Sequence, residues 1–158
     1  MRLLMQVVDH ASVTTTGWEQ SIQQGIVLFV GVEDSDSLTD IQWAARKIAT
    51  LRIFVDHEAK QYRSVQDVQG MILSVSQFTL FADIKKGARP SFFQAGEPQH
   101  AQKMWKLLNK ELEDTYHLPV CEGVFGADMK VSLVNHGPME NVGMDHLLST
   151  EYKGITYF

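Results

Sequence analysis

The sequence predicts one α+β domain, on three grounds. Its 158 residues match a single domain on a scale of roughly 150 residues per domain. Short β-branched runs alternate with two long stretches of helical periodicity. No internal repeat, low-complexity tract or linker divides the chain. Hydrophobic residues make up 44% and charged residues 21%, which suits a packed core and not the disordered class. The domain is expected to span residues 1–149, with a C-terminal tail at 150–158.

Arg2 to Val8 is short, apolar and partly β-branched, and Ser12 to Thr16 adds Val13 and three threonines before Gly17. Two strand pieces are expected there. Ile26 to Val32 reads as a buried strand. Ser37 and Asp40 have capping-box spacing, and Ile41, Ala44, Ala45 and Ile48 then recur at helical spacing. That helix is expected to stop before a strand at Arg52 to Val55. Met71 to Phe81 reads as one long strand, although Ser74, Ser76, Gln77 and Thr79 interrupt its apolar character. Asp83 to Gly87 is a polar turn. Pro98 suits the first turn of a second helix, whose apolar stripe is Ala101, Met104, Trp105, Leu108 and Leu112. The helix should stop near His117 to Pro119, because the residue before a proline resists the helical region. Val120 to Val124 and Met129 to Val134 read as further strands, the second with Met129, Val131 and Leu133 on one face.

Several function classes find no support. A formal charge of -5 argues against a broad duplex-binding surface, so DNA is not an expected partner, while contact with one nucleic-acid end is compatible with it. The longest apolar run, about Gly25 to Val32, is far short of the roughly 20 residues that span a bilayer. The N-terminal residues lack a signal-peptide pattern, and a lone cysteine, Cys121, permits no intrachain disulfide. A cytosolic protein without a membrane partner is expected. Phosphate-loop, dinucleotide and nucleophile-elbow motifs are missing, so no cofactor is expected. His57-Glu58 begins like a zinc-protease helix, but Gln61 stands where the second ligand belongs. His10, His100, His117, His136 and His146 have no partner at ligand spacing, so no metal is expected. Cys121 reads as a small hydrophobe in a strand, with no adjacent base to make a thiolate. Lys85, Lys86 and Arg89 form the one local basic cluster, which by itself is a solvated turn.

Two segments resist so plain a reading. Ser76-Gln77-Phe78-Thr79-Leu80 sets two hydroxyls and a primary amide in or beside an apolar strand. Unpaired burial would cost a few kcal/mol each, so these groups face solvent or line a site. Asn135-His136-Gly137-Pro138 follows a strand, and its Gly-Pro pair is a tight turn or a cis bond. Since only about 5 to 6% of such bonds are cis, the residues alone favour the turn.

On those two segments the chain resembles the D-aminoacyl-tRNA deacylase family. The likeness extends over most of residues 1 to 140 through Ala11-Ser12-Val13, Ala45-Arg46-Lys47-Ile48, Leu51-Arg52-Ile53-Phe54, Lys86-Gly87, Arg89-Pro90-Ser91-Phe92 and Phe125-Gly126-Ala127-Asp128-Met129. The resemblance implies mostly antiparallel sheets partly rolled into a barrel with two long helices, in a homodimer. It implies hydrolysis of the ester between a D-amino acid and the 3'-terminal adenosine of tRNA. Catalysis would fall to Ser76, Gln77, Phe78 and Thr79, with the backbone N–H groups of Phe78 and Thr79 facing the developing oxyanion. Thr79 as a covalent nucleophile would need a base, and none lies within the motif. The resemblance assigns water activation instead to the ribose 2'-hydroxyl. Gly137 and Pro138, joined by a cis bond, would enter the partner subunit's pocket and exclude L side chains by steric clash. Phe125 and Met129 would line the substrate pocket, and Lys85, Lys86 and Arg89 would contact the acceptor end of the tRNA.

The chain departs from the family pattern at three places. Val7 follows Gln6 where arginine is usual, Met139-Glu140 stands where the family carries threonine two residues after the proline, and Asn141 to Ser149 is less apolar than the usual last strand. A non-catalytic paralogue that binds an aminoacyl group or RNA 3'-end, and a deacylase shifted towards mischarged glycyl-tRNA, are the alternatives these departures raise.

Overall fold

The computed structural model describes residues 1–56, 60–145 and 156–157. Its organising element is one strand where two pieces are expected, β1 (Arg2–Thr15), which runs straight through the polar Asp9-His10 pair. The reason is a bulge. Val8 faces Asn135 and His10 faces Val134, so Asp9 is an extra residue that shifts the pleat by one. Leu3, Met5 and Val7 point to one core cluster, while Val8, Ala11 and Val13 point to the other. The extra residue keeps those last three on a single face despite their odd spacing.

After Gly17, at φ +72, the chain reverses into β2 (Trp18–Ile22), which carries little strand signal, and then β3 (Gly25–Gly31). Both pair antiparallel with the same edge of β1 in unbroken register, with Ala11 opposite Ile22 and Val8 opposite Gly25. Helix α1 (Leu38–Thr50) begins where the capping pattern places it, with the Asp40 carboxylate accepting from the Ser37 N–H at 2.8 Å and from its hydroxyl at 2.6 Å. Its face of Ile41, Ala44, Ala45, Ile48 and Ala49 is buried on the sheet. A small separate hairpin follows, β4 (Phe54–Asp56) and β5 (Gln61–Arg63). His57 and Glu58 lie outside the described residues.

Strand β6 (Met71–Ser76) pairs parallel with β3. Buried on both faces, β3 is continuously apolar rather than alternating, as a strand beside a parallel neighbour should be. The long strand expected through Phe81 ends instead at Ser76, and residues Phe78–Phe81 form a single 3-10 turn. Phe81 is fully buried and packs within 2.9 Å of where a side chain on Gly31 would begin. The chain therefore has to fold back over the end of β3.

Helix α2 (Pro98–Asp114) starts on Pro98, capped by Glu97, and buries Met104, Trp105, Leu108 and Leu112 as the stripe predicts. It also buries Asn109, which donates to Glu122 at 2.9 Å. Strand β7 (Val120–Glu122) adds parallel to β6, so the sheet is mixed, with most of its pairings antiparallel as expected. Strands β8 (Lys130–Asn135) and β9 (Asn141–Asp145) then run end to end along the second edge of β1. The short β10 (Thr156–Tyr157) pairs with β9; the rest of the expected tail at 150–158 lies outside the described residues. With β2 folded towards β6 and β7, the sheet is a nearly closed barrel around Val8, Ala11, Val13, Ile22, Val27, Leu73 and Val75. The two helices cover its outer face.

Gly25, on β3, lies directly against the main chain of β6. A Cβ there would stand 1.9 Å from the carbonyl oxygen of Met71, and main chain cannot swing away as a side chain can. Gly25→Ala is expected to destabilise the fold by about 3 kcal/mol or more. Gly17→Ala, at positive φ in open space, should cost only about 1 kcal/mol. Urea denaturation of the two variants against wild type checks the order.

Candidate active site

The fold-back after β6 opens a cleft of about 650 Å³ lined by Ser76, Gln77 and Phe78 on one side and Trp105, Phe125 and Met129 on the other. Three constraints build it. The Gln77 N–H donates to the Val30 carbonyl at 2.7 Å, which carries the β3·β6 pairing one residue past the strand. Arg2 at the start of β1 donates to the Leu80 carbonyl at 3.0 Å and lays its guanidinium 4.7 Å from the Phe81 ring centre. The loop before α2 is pinned by Gly96 N–H to the Val32 carbonyl at 2.8 Å and by Glu97 N–H to Asp34 at 2.7 Å. The turn from Ser76 to Leu80 is thus held at both ends by β1 and β3.

The opposite wall depends on a buried polar pair. The Trp105 indole N–H donates to the Ser74 hydroxyl at 2.8 Å, inside the protein, so the serine that interrupts the apolar strand is satisfied by an indole. Trp105 packs against Phe125 with ring centres 5.9 Å apart. Met129 is fixed by its sulfur, which accepts from the Val124 N–H at 3.3 Å. Neither Ser74 nor the buried face of Asn109 carries a sequence signal of its role, because each is explained only by a partner distant in the chain. At the mouth, Phe78 and Phe92 meet edge to face at 5.1 Å.

Within the motif, the Gln77 carboxamide bonds the Thr79 hydroxyl. A neutral amide is not a base, so this contact does not activate Thr79 as a nucleophile. The N–H groups of Phe78 and Thr79 have no acceptor among the described residues. Asp128 is the ionisable residue among those lining the cleft, and it is exposed at the rim. The cleft therefore offers polar contacts chiefly through backbone N–H, hydroxyl and amide groups.

A family model described as D-Tyr-tRNA(Tyr) deacylase matches residues 4–142. The chain belongs to this family. A D-aminoacyl-tRNA deacylase of Bifidobacterium animalis subsp. lactis (strain AD011) is 50% identical over 165 residues, covering 98% of this chain and 100% of its own. That of Bifidobacterium adolescentis (strain ATCC 15703 / DSM 20083 / NCTC 11814 / E194a) is 50% identical over 149 residues, covering 88% and 93%. Among solved structures, a c-Myc DNA Unwinding Element Binding Protein aligns with a TM-score of 0.85 at 34% identity, over 93% of this chain and 99% of its own. A probable eukaryotic D-amino acid tRNA deacylase shares the fold, with a TM-score of 0.78 at 17% identity over 92% and 98%.

Set on this deacylase-family fold, the residues singled out in the sequence divide into two groups. Ser76, Gln77, Phe78, Phe125 and Met129 come together in the cleft, with Thr79 one residue beyond its lining. Gly137 and Pro138 do not join them. They sit in the five-residue excursion between β8 and β9, where the Gly137–Pro138 bond is cis, not the plain turn that the residues alone favour. Val7 closes the base of the excursion, accepting from the His136 N–H at 2.8 Å and donating to the Glu140 carbonyl at 3.0 Å. The Glu140 carboxylate folds back over Gly137, 2.7 Å from where a Cβ would stand. The bulge residue Asp9 bonds His136 at 2.7 Å. Lys85, Lys86 and Arg89 are exposed on the loop beyond the cleft mouth. Among the described residues no three His, Cys, Asp or Glu gather as a metal site, and no helix is long and apolar enough to cross a membrane.

Burial, and then the nearby Glu113 carboxylate, push the Cys121 thiol above its ordinary range. A raised thiol pKa means less thiolate at any pH below it. Cys121 should therefore alkylate with iodoacetamide at pH 8 more slowly than the same residue in the urea-unfolded chain. Ser74→Ala, which leaves the indole N–H buried without an acceptor, is expected to cost about 1 to 3 kcal/mol in urea denaturation.

Proposed function

We propose that the chain hydrolyses the ester that joins a D-amino acid to the terminal adenosine of tRNA. The observation that carries this reading is the turn at Ser76 to Thr79 beside an aromatic-walled cleft, where the backbone N–H groups of Phe78 and, one residue beyond the lining, Thr79 have no acceptor among the described residues. An ester needs little activation beyond stabilisation of the oxyanion that forms on its carbonyl oxygen. Each such donor is typically worth about 2.7 to 4 kcal/mol. Phe78 and Thr79 supply the N–H donors, the Ser76 hydroxyl and the Gln77 amide assist, and Phe125 and Met129 pack against the adenosine or aminoacyl group. With no activated nucleophile in the motif, the water is activated by the ribose 2'-hydroxyl of the substrate.

Stereochemical choice is assigned to Gly137 and Pro138 of a second copy in a homodimer. What supports a donated gate is that these residues lie outside the lining of their own chain's cleft, on a projection from the edge of β1. Backbone atoms placed beside the chiral carbon would clash with an L side chain and admit hydrogen, so D-aminoacyl and glycyl esters pass. The Lys85, Lys86 and Arg89 loop offsets the acidic charge near the acceptor end. The enzyme acts in the cytosol, where aminoacyl-tRNA is made and used.

Single-turnover assays with D-tyrosyl-tRNA and L-tyrosyl-tRNA test this. The D ester should be released far above the buffer rate and the L ester should not; equal rates, or release of neither, defeats the proposal. Thr79→Ala keeps the backbone donor and removes only the hydroxyl that the Gln77 amide bonds, so it should lower the D rate by about tenfold at most, the worth of one hydrogen bond. A loss approaching the roughly 10⁶-fold seen when a covalent nucleophile is removed would reassign Thr79 to that role.

A further inference from the structure

The cleft ends at the Phe78–Phe92 pair, and the chain between these rings, once past the buried Phe81, leaves the body of the fold as a loop. Two backbone hydrogen bonds between Asp83 and Ser91, of 2.8 and 2.9 Å, close its neck. Every residue from 84 to 90 beyond the neck is exposed. Three of them are cations, Lys85, Lys86 and Arg89, in a chain whose formal charge is -5. The nearest carboxylate in sequence, Asp83, uses one oxygen on the Lys85 backbone N–H rather than on an ammonium. Beside the neck, one residue after the ring at the cleft mouth, Phe93 stands 99% exposed.

An aromatic face beside clustered cations is the pairing that single-stranded nucleic acid uses, since every base can stack and every linkage carries a phosphate. Continuity with the cleft decides which strand. We propose that this loop holds the single-stranded 3'-end of the tRNA next to the cleft, with Phe93 stacking on a base just before the terminal nucleotide and Lys85, Lys86 and Arg89 meeting the phosphates. This rests on the reading that the terminal aminoacyl-adenosine occupies the cleft. An acidic peptide, or an acidic face of a second copy, would satisfy the cations but would offer Phe93 no base on which to stack.

The experiment pairs two substrates, D-tyrosyl-tRNA and D-tyrosyl-adenosine, with wild type, Phe93→Ala and Phe93→Trp. Loss of one base stack should raise KM for the tRNA about tenfold in Phe93→Ala while kcat holds. Phe93→Trp should restore it, and cleavage of D-tyrosyl-adenosine, which ends before the loop, should change less than twofold. Binding of a short oligoribonucleotide ending in CCA, read by fluorescence anisotropy, should weaken in the same variant. In the triple variant Lys85→Ala, Lys86→Ala, Arg89→Ala its salt slope should fall by about two. Unchanged KM and unchanged oligonucleotide binding overturn the inference. So does a shift of Phe93→Ala from dimer to monomer in sedimentation, which would make the ring a contact between copies. If wild type cleaves neither ester, the catalytic reading fails, and the oligonucleotide binding still decides the role of the loop.

Discussion

Everything at the site depends on the backbone hydrogen bonding of β1. Its fourteen residues carry neighbours on both edges, β2 and β3 on one and β8 and β9 on the other. A buried N–H or carbonyl without a partner costs free energy comparable to a lost hydrogen bond, so a central strand of this length dictates where four others must lie. The two edges are used differently. Along the first, register holds through the Gln23-Gln24 break; along the second, it is interrupted by the bulge at Asp9 and the excursion from His136 to Glu140. The projection that carries Gly137 and Pro138 is the length of chain that the second edge leaves unpaired, and both ends of it return to Val7. The backbone of Val7 performs this anchoring whatever its side chain, and Asp9 with His136 adds a side-chain contact on the same side of β1.

The helices and the apolar stretches are readable because local periodicity decides them. Ser37 with Asp40, Pro98, and the stripe from Ala101 to Leu112 each act within a few residues. Sequence and structure part where a distant element overrides the local pattern. Asp9-His10 looks like a break because a bulge shifts the pleat, and a bulge is visible only against its partner strand. Residues after Ser76 look like more strand because Phe78, Leu80 and Phe81 are apolar, yet Phe81 must turn under the end of β3, where Gly31 leaves room. Trp18 to Ile22 carries Glu19, Gln20 and Ser21 and prompts no strand expectation, yet β1 offers it an edge.

The cleft itself is half legible. The motif from Ser76 to Thr79 and the Phe125 to Met129 segment stand out through family likeness, and they do converge. What the residues alone cannot show is the wall between them, since the Trp105 to Ser74 bond and the Asn109 to Glu122 bond join segments that only tertiary structure brings together. Helical spacing makes Trp105 part of an apolar stripe. It is that, and its indole N–H also satisfies the one fully buried hydroxyl of β6.

The electrostatic character of this site follows from the same choice of groups. An acidic chain that handles a polyanion gains little from placing a carboxylate at the reacting centre, where it would repel both the phosphates and the oxyanion. Backbone N–H groups avoid that conflict. They carry a positive dipole with no titration, they need no desolvated counter-charge, and their position is set by hydrogen bonds that the fold makes anyway: the Gln77 N–H to the Val30 carbonyl, Arg2 to the Leu80 carbonyl, and the Ala82 N–H to the Thr79 carbonyl. In the proposed mechanism these preorganised donors act beside a cleft walled by Trp105, Phe125 and Met129. The neutral cleft and the acidic chain are thus compatible: apart from Asp128 at the rim the lining is uncharged, and the proposed mechanism draws its donors from main chain.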